Sequence, residues 1–154
     1  MEMPWEEKAG TILWSYYAGM ESGTALAGIL TGRINPSGKL AETFPRVYED
    51  TPTGHNGQFG RDDMVCYEEE IMVGYRHYEK NDILPMFCFG HGLSYTEFAY
   101  HDLQVKQDND AKDRVSISFD IENVGQIDGR EIVQIYVRDE ECTVIRPEKE
   151  LKAF

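Results

Sequence analysis

The sequence predicts an α/β segment followed by an incomplete immunoglobulin-like β-sandwich. Three observations predict this order: an apolar run followed by a helical pattern, a region rich in glycine, proline and asparagine, and three alternating apolar and polar runs after residue 96. We therefore predict that residues 1–46 end an α/β layer. Residues 47–96 form a linker and interdomain segment, and residues 97–154 begin a β-sandwich.

The composition is that of a folded protein with an acidic surface. The 154 residues are 41% hydrophobic and 12% aromatic, which is too apolar for a disordered chain. The 28 acidic residues exceed the 15 basic ones, so the surface repels phosphate backbones and anionic lipids. No run of about 18 apolar residues is present. Neither nucleic acid nor a membrane is therefore an expected partner.

Cysteine usage and the N-terminus bear on compartment and cofactors. Cys66, Cys88 and Cys142 contain no C-x-x-C pair, and the four histidines show no H-E-x-x-H spacing, so no disulfide framework, metal or other cofactor is predicted. Residues 1–7 are acidic, whereas a signal peptide begins basic and turns apolar. We therefore predict a cytoplasmic protein; the alternative is a fragment that has lost an upstream signal.

The first 46 residues predict a strand, a helix and a turn. Residues 11–18 are apolar and aromatic and indicate a buried strand. Ser22 suits the N-cap of a helix whose apolar residues recur at spacings of three and four, and Gly32 can end it in the left-handed conformation. Residues 35–38 predict a turn, and residues 40–44 predict a short strand before proline.

The middle region predicts irregular structure. Residues 47–64 have little periodicity and indicate a surface loop long enough to be functional. The alternation from residue 71 to residue 75 indicates extended structure within residues 66–78. Residues 87–95, with His91 between two glycines, predict a tight and packed turn.

The alternating runs after residue 96 predict successive strands of one sandwich. They cover residues 98–105, 115–121 and 132–137, with a polar turn at residues 107–110. In the second run the apolar side chains face one way, so one face should be buried. A complete sandwich needs about 100 residues. A further segment, or a second copy in a homo-oligomer, is therefore needed to cover the apolar face.

Four stretches of the chain together resemble family 3 glycoside hydrolases of the β-glucosidase type. They are Asn35-Pro36-Ser37-Gly38-Lys39-Leu40 with Thr43-Phe44-Pro45; Tyr67-Glu68 with Val73-Gly74-Tyr75-Arg76-His77-Tyr78; Phe89-Gly90-His91-Gly92-Leu93-Ser94-Tyr95-Thr96; and Asn123-Val124-Gly125 through Gln134-Ile135-Tyr136-Val137 to Glu150-Leu151. Their order and spacing fit the family. The fourth is similar to the fibronectin-III-like domain of many members. The sequence departs from the family at Cys88, where proline is usual.

The resemblance implies a four-part enzyme: a barrel with the nucleophile, an α/β sandwich with the acid/base, a linker and the fibronectin-III-like domain. This chain would hold the end of the α/β sandwich, the linker and the start of the last domain. The implied reaction is hydrolysis of terminal β-glucosyl residues with retention, on a β-glucoside or oligosaccharide. No catalytic residue is carried over, because the matching motifs precede this chain in the family. The chain alone is predicted to be inactive, with the remainder of the enzyme as its partner.

Three residues are candidates for substrate binding. His55 and Arg61 lie in the predicted loop, where polar side chains can bind sugar hydroxyls, although a plain surface loop also explains them. Glu68 lies inside the second matching stretch. A buried ion pair with Arg76 and a supporting role near the sugar both fit this glutamate.

Two further interpretations stay open on the residues alone. Four aromatic residues near the N-terminus suit either a sugar-stacking platform or a core, and aromatics in an apolar run are usually core: Trp5, Trp14, Tyr16 and Tyr17. The second alternative concerns function. A non-catalytic β-sandwich module would bind carbohydrate or protein through its uncovered strands.

Overall fold

The structure, a computed structural model, describes residues 1–57, 60, 66–107 and 114–154. Its helices are short and its strands form two antiparallel pairs. The helices are α1 (Ser22–Leu30), α2 (Pro52–Asn56) and α3 (Tyr75–Lys80), with single 3₁₀ turns at Glu6–Lys8 and Tyr48–Asp50. The strands are β1 (Phe98–Gln107), β2 (Val115–Asn123), β3 (Ile135–Val137) and β4 (Glu150–Ala153).

The chain forms two compact units, each built from segments that are distant in sequence. The first unit contains Met1–Tyr16, Gly38–Gly92 and Ile132–Phe154. The second contains Tyr17–Ser37 and Leu93–Glu131. The predicted domains divide the chain along its sequence, and their boundaries stay a prediction.

The core of the first unit is centred on Phe44, which is 3% exposed. Its ring meets Trp14 edge to face at 5.4 Å and Phe87 at 6.4 Å between centroids. The backbone N–H of Phe44 donates to the carbonyl of Phe87 at 2.8 Å, and that of Leu40 donates to His91 at 2.8 Å. Residues 40 and 44 therefore lie beside residues 86–91. The predicted strand at residues 40–44 is reduced to a single bridge between Phe44 and Phe87, because residues 41 and 42 bend the chain.

The predicted buried strand at residues 11–18 is wrong. These residues have no regular structure, and Tyr17 is fully exposed. An extended run becomes a strand only when a neighbouring backbone pairs with it, and the described residues provide no such ladder here. The core prediction is also wrong for Trp5 and Tyr16, which are about half exposed, whereas Trp14 is half-buried against the core.

The helix of the second unit lies where the sequence predicts it. Gly32 follows it with a φ of 72°, a left-handed conformation that glycine adopts without strain. Ser22 is not the N-cap: it is the first helical residue, and Glu21 occupies the cap position without a side-chain bond. The predicted turn at residues 35–38 is also wrong, since these four residues contain neither a turn nor regular secondary structure.

Asn35 anchors the second unit through three hydrogen bonds. Its Oδ1 accepts from the hydroxyl of Ser94 at 2.9 Å and from the N–H of Tyr95 at 2.8 Å. Its Nδ2 donates to the carbonyl of Asp128 at 3.0 Å. One side chain therefore joins its own segment to two others, which lie 59 and 93 residues further along the chain.

Removing the Asn35 side chain is expected to destabilise the second unit. We expect Asn35→Ala to lower the free energy of unfolding by about 1–3 kcal/mol, because each net hydrogen bond contributes about 1 kcal/mol. Urea denaturation followed by circular dichroism measures the change. Ser94→Ala removes one of the three bonds and also the bond that the Ser94 hydroxyl accepts from the Thr96 N–H at 3.3 Å, so it should lose about two thirds as much. A larger loss for Ser94→Ala than for Asn35→Ala would contradict this division.

β1 and β2 form the predicted alternating pair. The register joins Phe98 to Asn123 and Gln107 to Val115, with an irregularity near residue 102. Ile117 and Phe119 are half-buried, but Val115 on the same face is 54% exposed. The apolar face is therefore only partly covered, as expected for an incomplete sandwich. Residues 108–113, which include most of the predicted polar turn, lie outside the described residues.

The third predicted strand belongs to the first unit. It is shortened to β3 and pairs with β4, which the sequence analysis does not predict. The hydroxyl of Tyr75 on α3 accepts from the N–H of Leu151 on β4 at 2.9 Å, and Lys149 pairs with Glu79 at 2.7 Å. These contacts attach the β3–β4 pair to α3.

The accessible surface of the chain is too large for a complete domain. It is 12174 Å², whereas a folded monomer of 17.7 kDa exposes about 7,900 Å². Many large apolar side chains contribute to the excess, among them Leu84, Leu93 and Ile145. The chain therefore exposes more apolar surface than a folded monomer of its mass does. In the part of the chain that the structure describes, no helix is long and apolar enough to cross a membrane.

Candidate functional site

Residues 48–57 fold into a compact segment where the sequence analysis predicts an irregular loop. Thr51 caps α2, because its Oγ1 accepts from the N–H of Gly54 at 3.1 Å. Pro52 occupies the first helical turn, where its missing N–H costs nothing. Gly57 ends the helix with a φ of 63°. The loop prediction is therefore wrong for residues 48–57. Capping residues define the ends of α2, and this helix is too short to show a periodic hydrophobic pattern.

Gly54 allows α2 to pack directly on the preceding 3₁₀ turn. A Cβ atom at this position would lie 2.1 Å from the carbonyl oxygen of Tyr48, which is backbone and cannot swing away. The contact makes residues 48–57 one packed segment with His55 near its end.

His77 on α3 contacts this segment through its buried imidazole ring. Its side chain is 4% exposed, and its Nε2 lies 3.1 Å from the carbonyl oxygen of Asp50. Its Nδ1 lies 3.2 Å from Nδ2 of Asn81, which also donates to the His77 carbonyl at 2.9 Å. A carbonyl accepts and an amide nitrogen donates, so this arrangement selects the neutral tautomer with the proton on Nε2.

The surroundings of His77 favour its neutral form. Burial lowers the pKa of His77 below its ordinary value of 6.5, and the nearby His55 ring lowers it further. The hydrogen bond to the Asp50 carbonyl opposes this shift, as do the carboxylates of Asp50 and Glu69. The two imidazole rings meet edge to face with centroids 5.4 Å apart.

The described structure does not assemble the three candidate residues into one site. His55 lies on α2 with an exposed side chain and contacts His77. Arg61 lies outside the described residues. Glu68 is exposed on a turn, and Arg76 pairs with Glu150 at 3.6 Å, so the buried Glu68–Arg76 pair is wrong.

Sequence reasoning missed His77 and Asn81. The cause is the interpretation of residues 66–78 as extended, which is wrong from Tyr75 onward because α3 begins there. The signal that finds the pair is the spacing of four between His77 and Asn81, which places both on one helix face.

The described side chains of this site can form hydrogen bonds with a ligand. His55 offers a ring nitrogen to solvent, and a sugar hydroxyl can donate to it or accept from it. No group of three or more His, Cys, Asp and Glu residues suited to a metal ion occurs in the described ranges. Burial raises the pKa of the neighbouring Tyr78, so this phenol stays protonated at neutral pH.

The chain matches relatives along its whole length but covers a small part of each. It is 49% identical to thermostable beta-glucosidase B of Acetivibrio thermocellus over 155 residues, with 100% of this chain and 20% of the relative covered. It is 40% identical to beta-glucosidase BoGH3A of Bacteroides ovatus, with 100% and 21% covered. The chain thus spans about a fifth of the length of these relatives.

A solved structure also matches nearly all of this chain while the chain covers a small part of it. Beta-glucosidase 3B of Thermotoga neapolitana, solved in complex with α-D-glucose, superimposes with a TM-score of 0.90 at 42% identity. The match covers 99% of this chain and 21% of that one.

A family model identifies the first part of the chain. Residues 1–95 match the model described as the glycosyl hydrolase family 3 C-terminal domain. These residues include α1, α2 and α3. The chain therefore belongs to glycosyl hydrolase family 3, as a fragment that includes residues of its C-terminal domain.

Proposed function

We propose that this chain is part of a β-glucosidase that hydrolyses terminal β-glucosyl residues with retention. The chain supplies scaffold, and residues 48–57 supply part of the substrate-binding surface through His55. The nucleophile and the acid/base lie outside it, so the chain alone is inactive. Its substrate is a β-glucoside or oligosaccharide, and its principal partner is the remainder of the same enzyme.

The observation that carries this proposal is a match over the entire chain to β-glucosidases five times its length. The excess accessible surface is independent support, since a self-sufficient module of this mass would bury more of its apolar side chains. The candidate site also fits a supporting role, because its described side chains bind hydroxyls without a carboxylate pair of the kind that retention needs.

We further propose the architecture that the sequence predicts. Residues 1–46 end an α/β sandwich, residues 47–96 link the domains, and residues 97–154 begin a fibronectin-III-like β-sandwich. The end of the family match at residue 95 supports the second boundary. The partly covered face of β1 and β2 supports an incomplete sandwich.

A chimera tests the enzyme proposal. This chain replaces the matched segment of thermostable beta-glucosidase B, and hydrolysis of a chromogenic β-glucoside is measured. We expect kcat/KM within about tenfold of the intact relative, a difference of about 1.4 kcal/mol in the barrier. The isolated 154-residue chain should give no turnover.

Two controls make the result interpretable. The relative without its matched segment should be inactive, and circular dichroism should verify that the chimera is folded. A folded but inactive chimera would contradict the proposal. Turnover by the isolated chain would show that the catalytic groups are inside it.

The rival function, a non-catalytic module, rests on the uncovered face of β1 and β2. It predicts that the isolated chain binds cellobiose or a protein through this face. Titration of the ¹⁵N-labelled chain with cellobiose distinguishes the two: shifts confined to residues 98–107 and 115–123 would favour the module.

A further inference from the structure

Residues 48–57 are attached to α3 through one buried side chain. Asp50 is the last residue of the 3₁₀ turn, and its carbonyl lies at hydrogen-bond distance from the Nε2 of His77. α2 follows two residues later and is held to the same turn by the Gly54 contact. His77 therefore connects the His55-bearing segment to the body of the first unit.

This attachment depends on the protonation state of the His77 imidazole. In the neutral ring, Nε2–H donates to Asp50 while Nδ1 accepts from the Asn81 amide. A second proton would place an N–H donor against an amide nitrogen that is already donating to the His77 carbonyl. The charged ring would also lie in a site that is 4% exposed, and no carboxylate of the described residues is hydrogen-bonded to it.

We propose that His77 is a pH-responsive positioning residue. It holds residues 48–57 against α3 while its imidazole is neutral, and it releases them when the imidazole is protonated. The proposal rests on the proposed function, because the segment it positions carries the candidate sugar ligand His55.

The direction of the pH response follows from the environment of His77. Opening the segment returns the ring to water, where it binds a proton near its ordinary pKa of 6.5, and burial lowers the pKa in the closed state. The closed segment is therefore fully favoured above pH 6.5 and weakens as pH falls through that value toward the lowered pKa. Among the described residues, the titratable groups that act on the charge of His77 are Asp50 on the 3₁₀ turn, His55 on α2 and Glu69 on the turn before α3.

The test follows exchange protection in residues 48–57 of the 154-residue chain between pH 5 and 8. The reporter is the amide of His55, whose N–H donates to the Thr51 carbonyl at 2.7 Å. Protection factors correct for the intrinsic pH dependence of exchange. We expect protection to fall below pH 6.5 with a slope of at most about tenfold per pH unit, since opening takes up at most one proton at His77.

Two substitutions separate this mechanism from ordinary acid destabilisation. His77→Gln retains an amide donor for Asp50 but cannot titrate, so its protection should not change with pH in this range. Asn81→Asp places a carboxylate beside Nδ1, which stabilises the charged ring within the closed segment, so protection should fall less as pH is lowered. Asn81→Ala is the matched control, because it removes the same amide without adding charge and should retain the fall in protection below pH 6.5.

His55 is controlled for separately because its imidazole ring contacts that of His77. His55→Gln should retain the transition, since the proton is taken up by His77. The same fall in protection in His77→Gln, or an undiminished fall in Asn81→Asp, would overturn the proposal.

The active chimera provides a second measurement, and its failure can be distinguished from failure of the exchange experiment. Its KM for an aryl β-glucoside should rise as pH falls below 6.5 while kcat changes little, and Asn81→Asp should make that rise smaller. An inactive chimera contradicts the proposed function alone, because the exchange experiment in the isolated chain still decides the role of His77. A pH-dependent opening without an effect on KM would overturn the link between His77 and the substrate site.

Discussion

Phe44→Ala should lower the free energy of unfolding by about 3–5 kcal/mol, which is the usual cost of truncating a buried phenylalanine. Phe44 is 3% exposed, and its ring is the shared edge-to-face partner of Trp14 and Phe87. The truncation leaves a cavity between these rings, and the backbone on both sides is already fixed by pairing with residues 86–87. Urea denaturation followed by tryptophan fluorescence measures the loss, since Trp14 borders the cavity.

The matched control for Phe44→Ala is the same substitution at Phe154. That side chain is 91% exposed, so its truncation should change the unfolding free energy by no more than about 0.5 kcal/mol. Similar losses at both positions would mean that Phe44 is not the centre of the core.

The second large effect is expected at Gly92. A Cβ atom there would lie 2.3 Å from the carbonyl oxygen of Gly38 and 3.0 Å from the side chain of Lys39. The Lys39 ammonium also donates to the Gly92 carbonyl at 2.8 Å, so the two segments are held together on both sides. We expect Gly92→Ala to lower the unfolding free energy by about 1–3 kcal/mol, because the backbone must separate to admit the methyl group.

Gly10→Ala is the control for this substitution. No atom lies within 4 Å of the position that its Cβ would occupy, and its φ is not in the left-handed region. The change should be neutral or slightly stabilising, because alanine restricts the unfolded chain more than glycine does. Thermal denaturation of the two variants side by side measures the difference. A neutral Gly92→Ala would mean that the Gly38 and Gly92 backbones are not in contact.

β1, β2 and α1 can be predicted from the sequence because each is long enough to carry its own periodicity. β2 alternates over nine residues, and α1 repeats its apolar residues over nine. The helices α2 and α3 have five and six residues, and isolated helices of that length are not stable in water. They form because tertiary contacts hold them, and those contacts have no local sequence signal.

The candidate site is likewise only partly predictable from the sequence. His55 can be named from the sequence as a polar residue in a region without periodicity, but its neighbour His77 cannot. The meeting of these rings requires α2 to be turned back onto α3, which depends on the contact between Gly54 and Tyr48. Likewise the pairing of residues 40–44 with residues 86–91 joins segments that no pattern connects in advance.

The interleaved construction of the first unit affects how the protein is synthesised. The hydroxyl of Tyr75 can form its hydrogen bond only after Leu151 has been synthesised, 76 residues further along the chain. At about 5–20 residues per second, that interval on the ribosome lasts about 4–15 s. Throughout it, α3 lacks the β3–β4 pair and exposes Tyr75 and its neighbours to other nascent chains. The yield of soluble protein should therefore depend on translation speed and on the supply of chaperones, even where the completed fold is stable.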